Sequence, residues 1–108
     1  MSPQVVLVID EVAETGVFLK DRLSGQEGVT VEVVKDPRRG LEAVKKHQPV
    51  LVVLGADTSE ARELCAAIRE SKQADTPLAM VREGRAPVWL LEHAFSEHRA
   101  DFYARRPL

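Results

Sequence analysis

Val5-Val6-Leu7-Val8-Ile9-Asp10-Glu11 reads as a strand that is apolar at five consecutive positions and then stops on two carboxylates. A strand with one wet face alternates apolar and polar residues. One without alternation is covered on both faces, as in a parallel sheet layered between helices. Val50-Leu51-Val52-Val53-Leu54 repeats the pattern and ends on Gly55, whereas Val29-Thr30-Val31-Glu32-Val33-Val34 alternates more and suits a sheet edge. Pro77-Leu78-Ala79-Met80-Val81 and Asp101-Phe102-Tyr103-Ala104 complete the set of predicted strands. The runs at 5–9 and 50–54 therefore belong in the middle of the sheet.

Between the strands the apolar spacing becomes helical. Ala61, Leu64, Cys65 and Ile68 stand at i, i+3, i+4 and i+7, so the third helix buries one stripe. Asp57-Thr58-Ser59-Glu60 before it offers side-chain oxygens and an acidic first turn, which reads as a cap. Thr15, Phe18, Leu19 and Leu23 form the stripe of the first helix, and Asp36-Pro37 opens a second that turns Leu41 and Val44 inward. A fourth helix is predicted over Pro87–His98. Strict βαβ alternation requires parallel pairing with right-handed crossovers, so the expectation is one α/β domain over 1–108 with a doubly wound five-stranded sheet. The chain stops just after the fifth strand, leaving the last helix missing and one sheet face with a single covering helix. An exposed apolar patch of several hundred Å² is expected there, to be covered by a dimer mate, a swapped segment or sequence beyond this chain.

Composition narrows the function. Charged residues make up 30% and hydrophobic ones 44%, an ordinary globular balance, and the net charge of −2 argues against direct binding to nucleic acid. Apolar runs such as Val50–Leu54 fall far short of the ~20 residues of a membrane span. A single cysteine, Cys65, forms no internal disulfide, and Met1-Ser2-Pro3-Gln4 leads into a strand with no sorting pattern, so the expected compartment is the cytoplasm. Cys65 lies on the apolar stripe and reads as a small core hydrophobe. His47, His93 and His98 lack metal-ligand spacing and read as surface histidines. No glycine-rich loop cradles phosphate, so no flavin, dinucleotide or other cofactor is expected.

Open parallel sheets carry their functional groups at the carboxyl ends of the strands. Those ends hold Asp10-Glu11, Gly55, Arg82-Glu83 and Arg105-Arg106-Pro107. Taken in order with Asp36-Pro37-Arg38-Arg39-Gly40-Leu41-Glu42-Ala43-Val44, Gln48-Pro49, Glu63–Glu70, Thr76-Pro77 and Ala100–Ala104, they resemble the receiver domain of bacterial two-component response regulators. The resemblance runs from about Val5 to Pro107 and lacks the final helix. It implies a flavodoxin-like fold with strand order 2-1-3-4-5, and an aspartate at the end of strand three that accepts a phosphoryl group. Here that position is Gly55, which has no oxygen to attack phosphorus. Arg82 stands where the family has Ser or Thr, Glu83 where it has a small residue, and Arg106 where it has Lys. The loop after Gly55 is about two residues short of the family's pattern. Asp10 and Glu11 alone match the family's chemistry, and Tyr103 matches its rotating aromatic position.

In this corner two acids face two arginines. The expectation is that Arg82 or Arg106 fills the space above Gly55 and pairs with Asp10 or Glu11. Residual Mg²⁺ binding by Asp10 and Glu11 ranks below an ion pair, and Asp57 as a displaced phosphoacceptor ranks below capping. On the fourth helix Leu91, Ala94, Phe95 and His98 share one stripe, while Trp89, Glu92, His93 and Ser96 share another. Trp89 is either exposed, a partner-binding candidate together with Glu92, His93 and Tyr103, or folded back over the sheet edge. The reading is a non-catalytic pseudo-receiver: a phosphorylation-independent module that binds another signalling protein, an output domain or a second copy of itself. The alternatives are weak phosphorylation at a non-standard acid, or a small-ligand sensor in the emptied pocket beside Gly55.

Overall fold

The computed structural model describes residues 4–57, 60–84 and 88–106. The expected cap residues Thr58 and Ser59, the helix start at Pro87 and the family-like Pro107 lie outside the described residues. The elements are β1 (Gln4–Ile9), α1 (Ala13–Leu23), β2 (Val29–Val34), a 3₁₀ turn (Pro37–Arg39) running into α2 (Gly40–His47), β3 (Leu51–Gly55), α3 (Glu60–Arg69), β4 (Leu78–Arg82), α4 (Val88–His93) and β5 (Phe102–Arg105). All neighbouring strands pair parallel, in the order β2-β1-β3-β4-β5. This is the doubly wound, flavodoxin-like sheet that the alternation of elements predicts.

The two runs without alternation occupy the positions their composition demands. β1 and β3 lie side by side inside the sheet, where Leu7, Val8, Val52 and Leu54 are almost fully buried, while β2 at the edge is only partly covered. On one face Leu7, Ile9, Val52, Leu54, Leu78 and Met80 pack against Val44 of α2, Leu90 of α4 and Ala61, Leu64, Cys65 and Ile68 of α3. The four α3 residues are those of the predicted stripe. Gly40 lets α2 close on α3, since a Cβ there would lie 2.6 Å from Leu64 Cδ2. On the other face Val6, Val8, Val53 and Val81 pack with Leu19 and Leu23 of α1.

Two expectations change. α4 ends at His93 instead of continuing to His98. The Ser96 hydroxyl donates to the His93 carbonyl at 2.8 Å, and the amides of Phe95 and Ser96 reach back only three residues, which tightens the chain out of the α-helix. Phe95, expected on the inward stripe, is consequently 91% exposed, and the side chain of Leu91 lies outside the described residues. Second, no helix follows β5 among the described residues, but the bare face is narrower than expected. Val53 and Val81 are buried there, Ala79 and Ala104 present little apolar surface, and Phe102 is the large exposed side chain of the strip.

Arg69, in the last turn of α3, ties the amino end of the sheet together. Its guanidinium donates to the carbonyls of Ala74, Thr76 and Arg99 and to Asp101 Oδ2, which also accepts the Leu78 amide. Burial alone would raise the Asp101 pKa, but the Leu78 amide and the Arg69 guanidinium outweigh it and hold the carboxyl below its ordinary value. Arg69→Met keeps the stem and strands these acceptors, so urea denaturation should record a loss of about 1–3 kcal/mol, with Asp101→Asn losing less.

Candidate functional site

At the carboxyl end of β1 the register sets Ile9 beside Leu54, so Asp10 follows next to Gly55. The Asp10 amide donates to the Val34 carbonyl, which fixes the backbone. Its carboxylate is held at both oxygens: Oδ1 accepts the Val12 amide at 2.9 Å and Oδ2 accepts Arg106 Nη2 at 2.7 Å. Both side chains of this ion pair are only 2% exposed. Arg106 is brought there by β5, since its own amide donates to the Arg82 carbonyl and extends the β4 pairing past the end of the strand. Its Nη1 reaches Asp57 Oδ2 at 2.7 Å and its Nε reaches Thr15 Oγ1 in the first turn of α1 at 3.1 Å. Asp57 Oδ1 in turn accepts the Glu83 amide. Burial opposes charge on Arg106, but the two carboxylates prevail and raise its pKa further. One guanidinium thus ties together the start of α1 and the carboxyl ends of β1, β3, β4 and β5.

The space above Gly55 is filled by Asp10 and not by an arginine. A Cβ at residue 55 would lie 2.2 Å from Asp10 Oδ1 and 2.5 Å from its Cγ. Of the two expected arginines only Arg106 enters the corner. Arg82 sits with Met80 on the opposite face of the sheet from Gly55 and Val81, because strand side chains alternate. Its Nη1 donates weakly to the Ala104 carbonyl at 3.4 Å, and its Nε is buried without a partner. Glu11 is exposed and makes no ion pair among the described residues. Asp57, expected to cap α3, gives its carboxylate to Arg106 and Glu83 instead. Thr15 was legible only as part of an apolar stripe. A hydroxyl at a position 1% exposed is the signal that it serves a buried polar group.

A cavity of about 240 Å³ opens beside this network, lined by the acidic residues Asp10, Glu11, Asp57 and Glu83 together with Gly55 and apolar residues such as Ile9 and Ala61. Such a lining disfavours phosphate and other anions. Mg²⁺ does not fit the donors as placed, because both Asp10 oxygens are engaged and Arg106 brings a fixed positive charge within hydrogen-bonding distance. Among the described residues no group of three His, Cys, Asp or Glu is arranged to hold a metal ion.

The residues read as a partner surface fall into two kinds. Glu92 is exposed, but His93 is 4% exposed and is no surface histidine, and Tyr103 is half-buried. The two are joined by a 2.9 Å hydrogen bond between His93 Nδ1 and the Tyr103 hydroxyl, whose oxygen also accepts the Ala100 amide. Trp89 is half-buried against the core, edge-on to the His93 ring, with the Arg62 guanidinium 5.9 Å from its ring centre. It folds back toward α3. Among the described residues the large apolar side chains that do face solvent on these elements are Val88, Phe95 and Phe102, and Phe95 was misplaced because the helical-wheel reading carried α4 too far. Cys65 donates to the His98 carbonyl, and burial pushes its thiol up to about 11, so it is unreactive at neutral pH.

No family model matches the chain, and no curated protein matches it in sequence. Solved structures do. The chemotaxis response regulator CheY4 of Vibrio cholerae aligns at TM-score 0.79 and 20% identity over 99% of this chain and 89% of that one. A response regulator from Thermotoga maritima aligns at 0.76 and 23% over 100% and 87%. An orphan response regulator of H. pylori aligns at 0.76 and 21% over 97% and 84%. At these identities the likeness establishes the fold, that of response regulator receiver domains.

The corner makes a coupling prediction. Gly55→Ala should destabilise by about 1–3 kcal/mol through overpacking, and most of that loss should vanish in an Asp10→Ala background. Strictly additive losses in urea denaturation would mean that Asp10 does not occupy the space.

Proposed function

We propose that this chain is a pseudo-receiver: a cytoplasmic, non-catalytic module of bacterial signal transduction that binds another signalling protein or an output domain and does so without phosphorylation. The observation that carries the reading is the filled space at the end of β3. Phosphorylation needs an attacking carboxylate on residue 55, a cation to neutralise the transferred group and room for the phosphoryl. Gly55 supplies no nucleophile, and the Asp10 carboxylate takes the room a side chain would use. The nearest cation, Arg106, is already shared between Asp10 and Asp57. A receiver-type fold with this corner has one resting arrangement and no chemical input there, which suits a constitutive binding role.

Further support comes from where apolar surface is left uncovered. Val88 on α4, Phe95 just after it and Phe102 on β5 are 71%, 91% and 61% exposed, with the charged Glu92 on the same helix. Large apolar side chains left in water are the material of a protein interface. No helix among the described residues is long and apolar enough to cross a membrane.

A second reading has one specific observation in its favour. Asp57 lies two residues beyond Gly55 with its side chain 36% exposed and bonded to Arg106, so, unlike the buried Asp10, it is an acid at the end of β3 that a phosphodonor could reach. Incubation with a small-molecule phosphodonor and Mg²⁺, followed by intact-protein mass spectrometry, separates the two. The pseudo-receiver reading expects no phosphoryl adduct. An adduct that Asp57→Asn removes would establish the second reading in its place.

A further inference from the structure

α4 is a single six-residue segment, too short to persist without tertiary contacts. It is fastened by Leu90, which enters the core, and by His93 at its last turn. His93 is buried, its Nδ1 faces the Tyr103 hydroxyl of β5, and its Nε2 is buried with no hydrogen-bond partner. A neutral ring tolerates this, because Nε2 can remain a bare lone pair while Nδ1–H donates to the Tyr103 oxygen. An imidazolium is worse served, since its charge would be buried and its Nε2–H makes no hydrogen bond among the described residues. The His98 carbonyl, which also accepts the Cys65 thiol, favours the charged ring, but burial outweighs it.

We propose that His93 is an acid-sensitive latch: protonation of its ring releases α4 from Tyr103 and opens the α4–β5 end of the domain while the sheet stays folded. Charged groups around the ring reinforce this. Arg62 and Arg69 of α3 and His98 beyond α4 all disfavour a positive charge on it, Tyr103 of β5 and Cys65 of α3 are neutral, and the carboxylates of Glu63 and Glu92 are exposed to solvent. Burial is the largest effect, and with these cations it holds His93 below its ordinary value of 6.5. Little movement is needed. A groove of about 380 Å³ between α3 and α4, lined by Arg62, Trp89, His93 and Ser96, already brings water to the helix.

The direction with pH follows from linkage. A base whose folded pKa is depressed takes up protons more readily when released, so the closed form keeps its full advantage above pH 6.5 and loses it as pH falls from there to the folded pKa. The latch therefore opens in mild acid and is shut at neutral pH.

Amide hydrogen exchange on the whole chain, with imidazole shifts followed by NMR, tests this. On acidification below pH 6.5 the Ala100 amide, which donates to the Tyr103 hydroxyl, should open about tenfold more for each pH unit, after correction for intrinsic exchange. Amides of β1 and β3 should not change, and Trp89, the single tryptophan, should report the same midpoint in its fluorescence. His93→Gln should abolish the step and His98→Gln should keep it. The proposal is overturned if the His93 ring titrates at its ordinary value, if Ala100 stays protected while the ring titrates, or if the sheet amides open in the same step. The first and last of these are read on the unaltered protein, so they decide the matter even if His93→Gln fails to fold.

Discussion

The buried ion pair between Arg106 and Asp10 is the constraint around which this molecule is arranged. Two charges at 2.7 Å, each 2% exposed, are costly to desolvate, and such pairs are seldom a net source of stability compared with apolar packing. What they impose is geometry. Once Arg106 is buried, its remaining donors must be satisfied, and Thr15 and Asp57 satisfy them from α1 and from the loop after β3. Once Asp10 is held at both oxygens, its carboxylate stands in the volume above residue 55. A glycine at the end of β3 is therefore required by the neighbour as much as tolerated by the backbone. The glycine at residue 55 and the packing of the corner are one fact seen from two sides.

The fold was legible because its strongest signals are collective. Apolar runs without alternation at 5–9 and 50–54 must be covered on both faces, and the stripe at 61, 64, 65 and 68 must be buried on one. Neither depends on an exact boundary. The site was legible only in part, because its members are fixed by direction. Arg82 and Arg106 look equivalent in the sequence, yet the alternation along β4 turns Arg82 to the far face, while the extended β4–β5 pairing turns Arg106 toward Gly55. Asp57 before a helix has the composition of a cap, and only the position of the guanidinium two strands away reveals its other use. The exposure of Phe95 turned on where α4 stops, a matter of one serine hydroxyl competing for one carbonyl.

The two ends of β5 are held by different physics, and this bears on which can move. At its carboxyl end Arg106 is bound by two carboxylates, and its guanidinium stays charged across any physiological pH. Around Tyr103 the attachment is a hydrogen bond to a buried histidine on a short helix, worth about 1 kcal/mol in net terms, and burial opposes charging that ring.

Conformational freedom therefore belongs at α4, where the uncovered side chains Val88 and Phe95 also reside, and not at the corner where receiver-type chemistry would act. The corner is held by two ion pairs to one guanidinium, whereas α4 is held by the packing of a short helix and one hydrogen bond to Tyr103.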